Sequence, residues 1–185
     1  GAMCTRSHAD TADQHDWQLT TGYRYFKSFR HFVGTAEQKE RVERKTDVRN
    51  WQHALDLTLV RKINSRLSIA ANLPIISNRR SSLYEHYGNN STSPNARRET
   101  KSFGVGDLRL SVYRWMFDPK TSNKGNVQIG LGIKLPTGDY QYQDFFQKND
   151  STRLLGPVDQ SIQLGDGGTG FIVEAKGFYN ISPKL

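Results

Sequence analysis

From Val127 to Leu135 every odd position is aliphatic, while the even positions between them are Gln128, Gly130, Gly132 and Lys134. Side chains alternate between faces only along a strand, so this stretch has one apolar wall and one polar, mostly small-residue wall. The pattern returns in Arg66–Arg79, where Leu67, Ile69, Ala71, Leu73 and Ile75 alternate with Ser68, Ala70, Asn72, Pro74 and Ile76. An apolar wall of this kind packs into a core or faces lipid. With 35% hydrophobic residues and a mean hydropathy of −0.70, the chain is thinly supplied for a soluble sandwich. A barrel whose apolar wall faces lipid and whose polar wall faces a watery lumen needs little apolar material. The expected fold is therefore all-β: an antiparallel meander forming a transmembrane outer-membrane β-barrel.

No segment approaches the ~20 consecutive apolar residues of a spanning helix, which excludes helical membrane proteins. Each span of a β-barrel needs only about 9–11 alternating residues. Cys4 is the single cysteine, so no internal disulfide forms. Gly1-Ala2-Met3 reads as a tag scar, residues 1–15 as a flexible N-terminal segment and residues 16–185 as barrel strands. A lipid anchor on Cys4 is a minor alternative, and a signal peptide is expected to have been removed or never cloned. The net charge of +8 suits nucleic acid, lipopolysaccharide phosphates or an anion-favouring lumen, and the charges cluster in the connections.

Six strands are legible: Trp17–Val33, Trp51–Lys62, Leu67–Ile75, Phe103–Phe117, residues 126–140 and Thr169–Ile181. Lys27 breaks the phase of the first, which predicts a bulge or an early exit. Gly34–Asn50, Ser81–Ser102 and Gln141–Gly168 are long and polar, whereas Lys62–Arg66 and Asp118–Gly125 are tight and rich in turn residues. Outer-membrane barrels have this asymmetry, with short periplasmic turns and long external loops. Trp17, Trp115 and Phe117 fall near the expected inner rim, and Trp51, Phe103 and Tyr140 near the outer one. Six strands cannot close a single-chain barrel, which takes at least about eight, so the strands are expected to be part of a longer barrel or to be completed by further copies.

Gly104-Val-Gly-Asp-Leu-Arg-Leu-Ser-Val112, Gly130-Leu-Gly-Ile-Lys-Leu-Pro-Thr-Gly-Asp139 and Gln163-Leu-Gly-Asp-Gly-Gly-Thr-Gly-Phe171 carry a family resemblance. Over roughly residues 50–181 the chain resembles outer-membrane proteins grouped under the meta-pathway of phenol degradation. The resemblance implies a monomeric or oligomeric barrel of about a dozen strands in the outer membrane of a Gram-negative bacterium that passes small, aromatic molecules, and the cationic excess of the polar wall adds anionic solutes to that expectation. It brings no catalytic residue and no cofactor.

Arg24, Asp56, Lys62, Asp107, Arg109, Lys134, Glu174 and Lys176 fall on the polar wall and are the candidate pore-lining charges. Opposed charges across a lumen set a transverse field that tunes ion selectivity; pairs such as Asp107–Arg109 and Glu174–Lys176 could equally fill the lumen and hold register. Asp107 stands out because Gly104 and Gly106 should leave the space around it open. Two other functions compete with transport. One is an outer-membrane acyl hydrolase using His53 and Ser77 on the lipid-facing wall, with His31 nearby, although the His-x-Ser spacing of such enzymes is missing. The other is a structural barrel that binds lipopolysaccharide through the charged segments Glu37–Lys45 and Asn95–Lys101. His8, His15, His31, His53 and His86 show no metal-ligand spacing. Residues 165–170 read as a loop and strand start, not a phosphate cradle. Aromatics and cations lie in different parts of the chain, which disfavours nucleic acid.

Overall fold

The computed structural model describes residues 16–83, 97–149 and 151–181. Strand takes 61% and helix 5%, so the chain is all-β, and the main sheet is an antiparallel, curled half-barrel. Its strands are β1 (Trp17–Ser28), β4 (Arg49–Lys62), β5 (Leu67–Ser82), β6 (Arg98–Val105), β7 (Leu108–Trp115), β8 (Gly125–Leu135) and β11 (Gly170–Tyr179). The order across the sheet is β1-β4-β5-β7-β8-β11, with β6 paired to the upper half of β5. β1 and β11 each keep one edge unpaired among the described residues.

Short turns gather at one end of the sheet. Asn64 closes the β4–β5 turn by accepting through Oδ1 from the amides of Arg66 and Leu67, both at 2.9 Å. The long connections at the other end have structure of their own. The first carries a small hairpin, β2 (Phe32–Val33) with β3 (Ala36–Glu37), and a one-turn helix, α1 (Glu40–Glu43). The last carries a second hairpin, β9 (Gln143–Gln147) with β10 (Arg153–Pro157), and a 3-10 turn at Gln160–Ile162.

Register assigns every strand residue to a wall. Leu57, Leu73, Leu55 and Ile75 are direct neighbours, Ala71 pairs with Leu110, Val112 with Leu131, and Leu131 with Val173. These residues form one continuous wall, and it is exposed: Leu131, Val173 and Phe171 are 60%, 77% and 89% accessible. The opposite wall is the sheltered one. Ala54, Asn78, Ser102 and Asn126 lie there and are buried. The order of a water-soluble sheet is thus reversed, with the apolar wall bare and the polar wall the one that is sheltered, over its upper part.

Among the described residues, the one substantial core lies under the last long connection. Phe146, Val158, Ile162 and Leu164 are buried together with Ala54, and four of these five come from that connection. It turns inward over the upper part of the sheltered wall. Asn78 Nδ2 donates to the carbonyl of Ile162 at 3.1 Å, Ser102 Oγ donates to the same oxygen, and Arg80 pairs with Asp159 at 3.2 Å.

Several expectations need correction. The first strand ends at Ser28, and Lys27 stays in register opposite Trp51, so no bulge forms there. The bulge lies instead in the fourth expected strand. Val105 pairs with Ile75 and Arg109 with Asn72, leaving Gly106, Asp107 and Leu108 opposite only Leu73 and Pro74. That extra residue shifts side-chain parity, so that even residues of β6 and odd residues of β7 share the sheltered wall. Trp115 faces the sheltered wall, edge-on to Phe178 at 6.1 Å, and does not join the aromatic girdle expected on the apolar wall at the inner rim. Arg98–Lys101 are strand residues, not loop. Residues 95 and 96, together with Cys4, His8, His15 and His86, lie outside the described residues.

Candidate functional site

The charges singled out by sequence share the sheltered wall, and the structure groups them into separate clusters. Arg24 and Asp56 sit on adjacent strands, with Nε donating to Oδ2 at 2.8 Å. Glu174 accepts from the hydroxyl of Tyr113 at 2.9 Å and pairs with Lys176 at 3.5 Å, while the Lys176 ammonium lies 4.9 Å from the centre of the Tyr113 ring. Tyr113 was not legible as part of this cluster from sequence, because the contact joins β7 to β11 across β8.

The third cluster is built by the bulge. The extra residue turns Asp107 toward the sheltered wall, where its Oδ2 lies 3.4 Å from Lys134 Nζ and its Oδ1 accepts from the amide of Gly138 at 3.0 Å. Thr137 completes the clasp, accepting through Oγ1 from the amide of Leu108 at 2.8 Å and donating to the carbonyl of Gly106 at 3.0 Å. Asp166 arrives from the last connection to pair with the same Lys134. The ammonium beside it and the amide of Gly168 hold the Asp166 carboxyl below the usual carboxylate range. The three glycine-rich motifs therefore meet at one point.

Gly104 and Gly106 are not open ground for Asp107. A Cβ on Gly106 would lie 2.9 Å from both Ile76 Cδ1 and Pro74 Cγ, and one on Gly104 would lie 2.8 Å from Leu164 Cδ1. Gly138 and Gly165 pack backbone on backbone, since a Cβ on either would come within 2.6–2.7 Å of main-chain atoms of the other's segment. These glycines let the last connection lie flat on the sheet.

Lys134 now faces two carboxylates. Arg109, its cross-strand neighbour, makes no ion pair among the described residues and is exposed. The cationic excess expected of this wall therefore rests chiefly on Arg109, with Lys134 offset by Asp107 and Asp166.

The exposed wall carries a second group of polar residues. Lys27, Trp51, Arg79 and Lys101 form one row across β1, β4, β5 and β6, and Tyr25, His53, Ser77 and Phe103 form the next. Arg79 stacks on Trp51 at 4.3 Å. His53 and Ser77 are cross-strand partners, as expected, but among the described residues no hydrogen bond joins them; His53 Nδ1 is held by the Tyr23 hydroxyl instead. His31 is elsewhere, accepting through Nε2 from the amide of Val48 at 3.0 Å and thereby folding the first long connection.

Comparison of the chain with protein-family models, curated proteins and solved structures finds no match in any of the three.

Proposed function

We propose that the chain contributes a half-barrel to an outer-membrane channel whose sheltered wall lines a polar passage for small solutes. The observation that carries this reading is the uncharged belt on the exposed wall. Between the row Lys27–Trp51–Arg79–Lys101 at one end and Arg61 and Arg114 at the other, no residue of that wall bears a charge on any strand. On β4, Arg61 lies ten positions beyond Trp51, which at ~3.3 Å per residue and a tilt of about 40° gives a belt ~25 Å tall. That is the height of the apolar band of outer-membrane barrels. Both limits carry an Arg–Trp stack, Arg79 on Trp51 at 4.3 Å and Arg61 on Trp17 at 5.2 Å, as befits an interface where a ring faces acyl chains and a cation faces headgroups. A soluble protein rarely leaves an apolar patch above a few hundred Å² uncovered.

The unpaired edges of β1 and β11 require further strands, from a longer chain or from other copies, because unpaired backbone groups cost several kcal/mol each in hydrocarbon. The inward-folded last connection narrows the mouth on the long-loop side, so passage is restricted to small solutes. The charges lining the lumen favour anions through Arg109. Planar-bilayer recording of the full-length protein tests the reading: discrete conductance with an anion-selective reversal potential is expected, and insertion without conductance would overturn transport.

A further inference from the structure

Resting on the membrane reading of the exposed wall, we propose that the corner formed by β1, β4, β5 and β6 is a binding site for a phosphorylated, acylated lipid of the outer leaflet. Three successive rows grade from charge to hydrocarbon. The rim row, Lys27–Trp51–Arg79–Lys101, offers three cations around one indole. The second, Tyr25–His53–Ser77–Phe103, holds the His and Ser of a belt whose one other polar strand residue, tyrosines aside, is Thr21 on β1. The third, Tyr23–Leu55–Ile75–Val105, is apolar apart from the phenol that holds His53. Phosphate, then ester or sugar hydroxyl, then acyl chain is the polarity order of such a lipid viewed from water inward. A cavity of about 920 Å³ is lined by residues of these rows, including Tyr23, Trp51, His53, Arg79, Lys101 and Phe103.

The charges facing this site leave it cationic. Arg79 is held flat by Trp51, and the nearest carboxylate, Glu99, is 3.9 Å away, at the margin of an ion pair. A guanidinium fixed in this way presents its N–H edge for forked phosphate binding with little further loss of freedom. Lys101 is exposed beside it, and its backbone amide is anchored to Asp144 at 2.7 Å. The opposite rim has the same Arg–Trp pair in Arg61 and Trp17 but no second row of His, Ser and tyrosines.

The test reconstitutes the full-length protein in phosphatidylcholine nanodiscs doped with bis-phosphorylated lipid A and measures, by mass spectrometry, the lipid A retained through gel filtration. Replacing Arg79 and Lys101 together by Gln should lower retention about tenfold, whereas replacing Arg61 and Arg114 by Gln should leave it at the wild-type value. Wild-type protein offered dephosphorylated lipid A should show the same loss, a readout independent of how the variants fold. Equal retention by the two double variants, or indifference to the phosphates, would overturn the site while leaving the membrane reading intact. Failure of the wild-type protein to enter any bilayer would overturn both.

Discussion

Lys134 Nζ lies 3.4 Å from Asp107 Oδ2, across a gap that exists only because an extra residue in the β6–β7 strand turns Asp107 inward. With Asp166 on its other side, Lys134 leaves less net positive charge on the sheltered wall than Arg109, which makes no ion pair among the described residues. Reversing Arg109 to Glu should therefore move the reversal potential under a salt gradient further toward cation selectivity than reversing Lys134 to Glu, with the Asp166→Asn variant shifting it the opposite way. A larger effect at Lys134 than at Arg109 would show that the two carboxylates do not screen it.

Leu131 and Lys176 test the two walls. Leu131→Arg should cost about 2–4 kcal/mol in folding into liposomes, since it would put a charge in the belt. In a water-exposed belt the same change would fall within about 0.5 kcal/mol. Lys176→Gln, on the opposite wall, should leave folding nearly unchanged, and urea titration in the presence of vesicles measures both.

Gly106→Ala should destabilise the seat of the last connection by about 1–3 kcal/mol, because the new methyl meets Ile76, Pro74 and the carbonyl of Leu164. Limited proteolysis should cut residues 141–168 faster while the strands stay protected.

Asn78→Ala combined with Ser102→Ala removes both donors to the Ile162 carbonyl and leaves that oxygen unpaired against the sheltered wall. The connection should swing out more often, raising single-channel conductance or its flicker without changing the β signal in circular dichroism.

Asp47 ties the first long connection to the sheet. Burial acts to raise its pKa, but the hydrogen bond from Arg49 and the charges of Arg49 and Arg97 outweigh it, so the carboxyl sits below its ordinary value. A depressed folded-state pKa gives stability that is complete above the unfolded value of ~4 and is lost as pH falls through the folded one. Protease sensitivity of residues 34–48 should rise below pH ~4, and Asp47→Asn should show that sensitivity already at neutral pH and lose the acid transition.

The all-β class, the division into two walls and the alternation of long and short connections were legible in the sequence, because period-two patterning and turn residues act over a few neighbours. Leu131 and Glu174 could be assigned to opposite walls without coordinates. The bulge at Gly106–Asp107 could not, since one extra residue shows only against the partner strand's register. The inward course of residues 151–168 was also out of reach. It depends on Leu164 resting on Gly104 and Gly106 and on Ile162 meeting Asn78 and Ser102, pairs separated by many residues and recorded by no local period. Local sequence set the direction of each side chain along its strand, while only the tertiary structure decided which charges meet and which, like Arg109, have no ionic partner among the described residues.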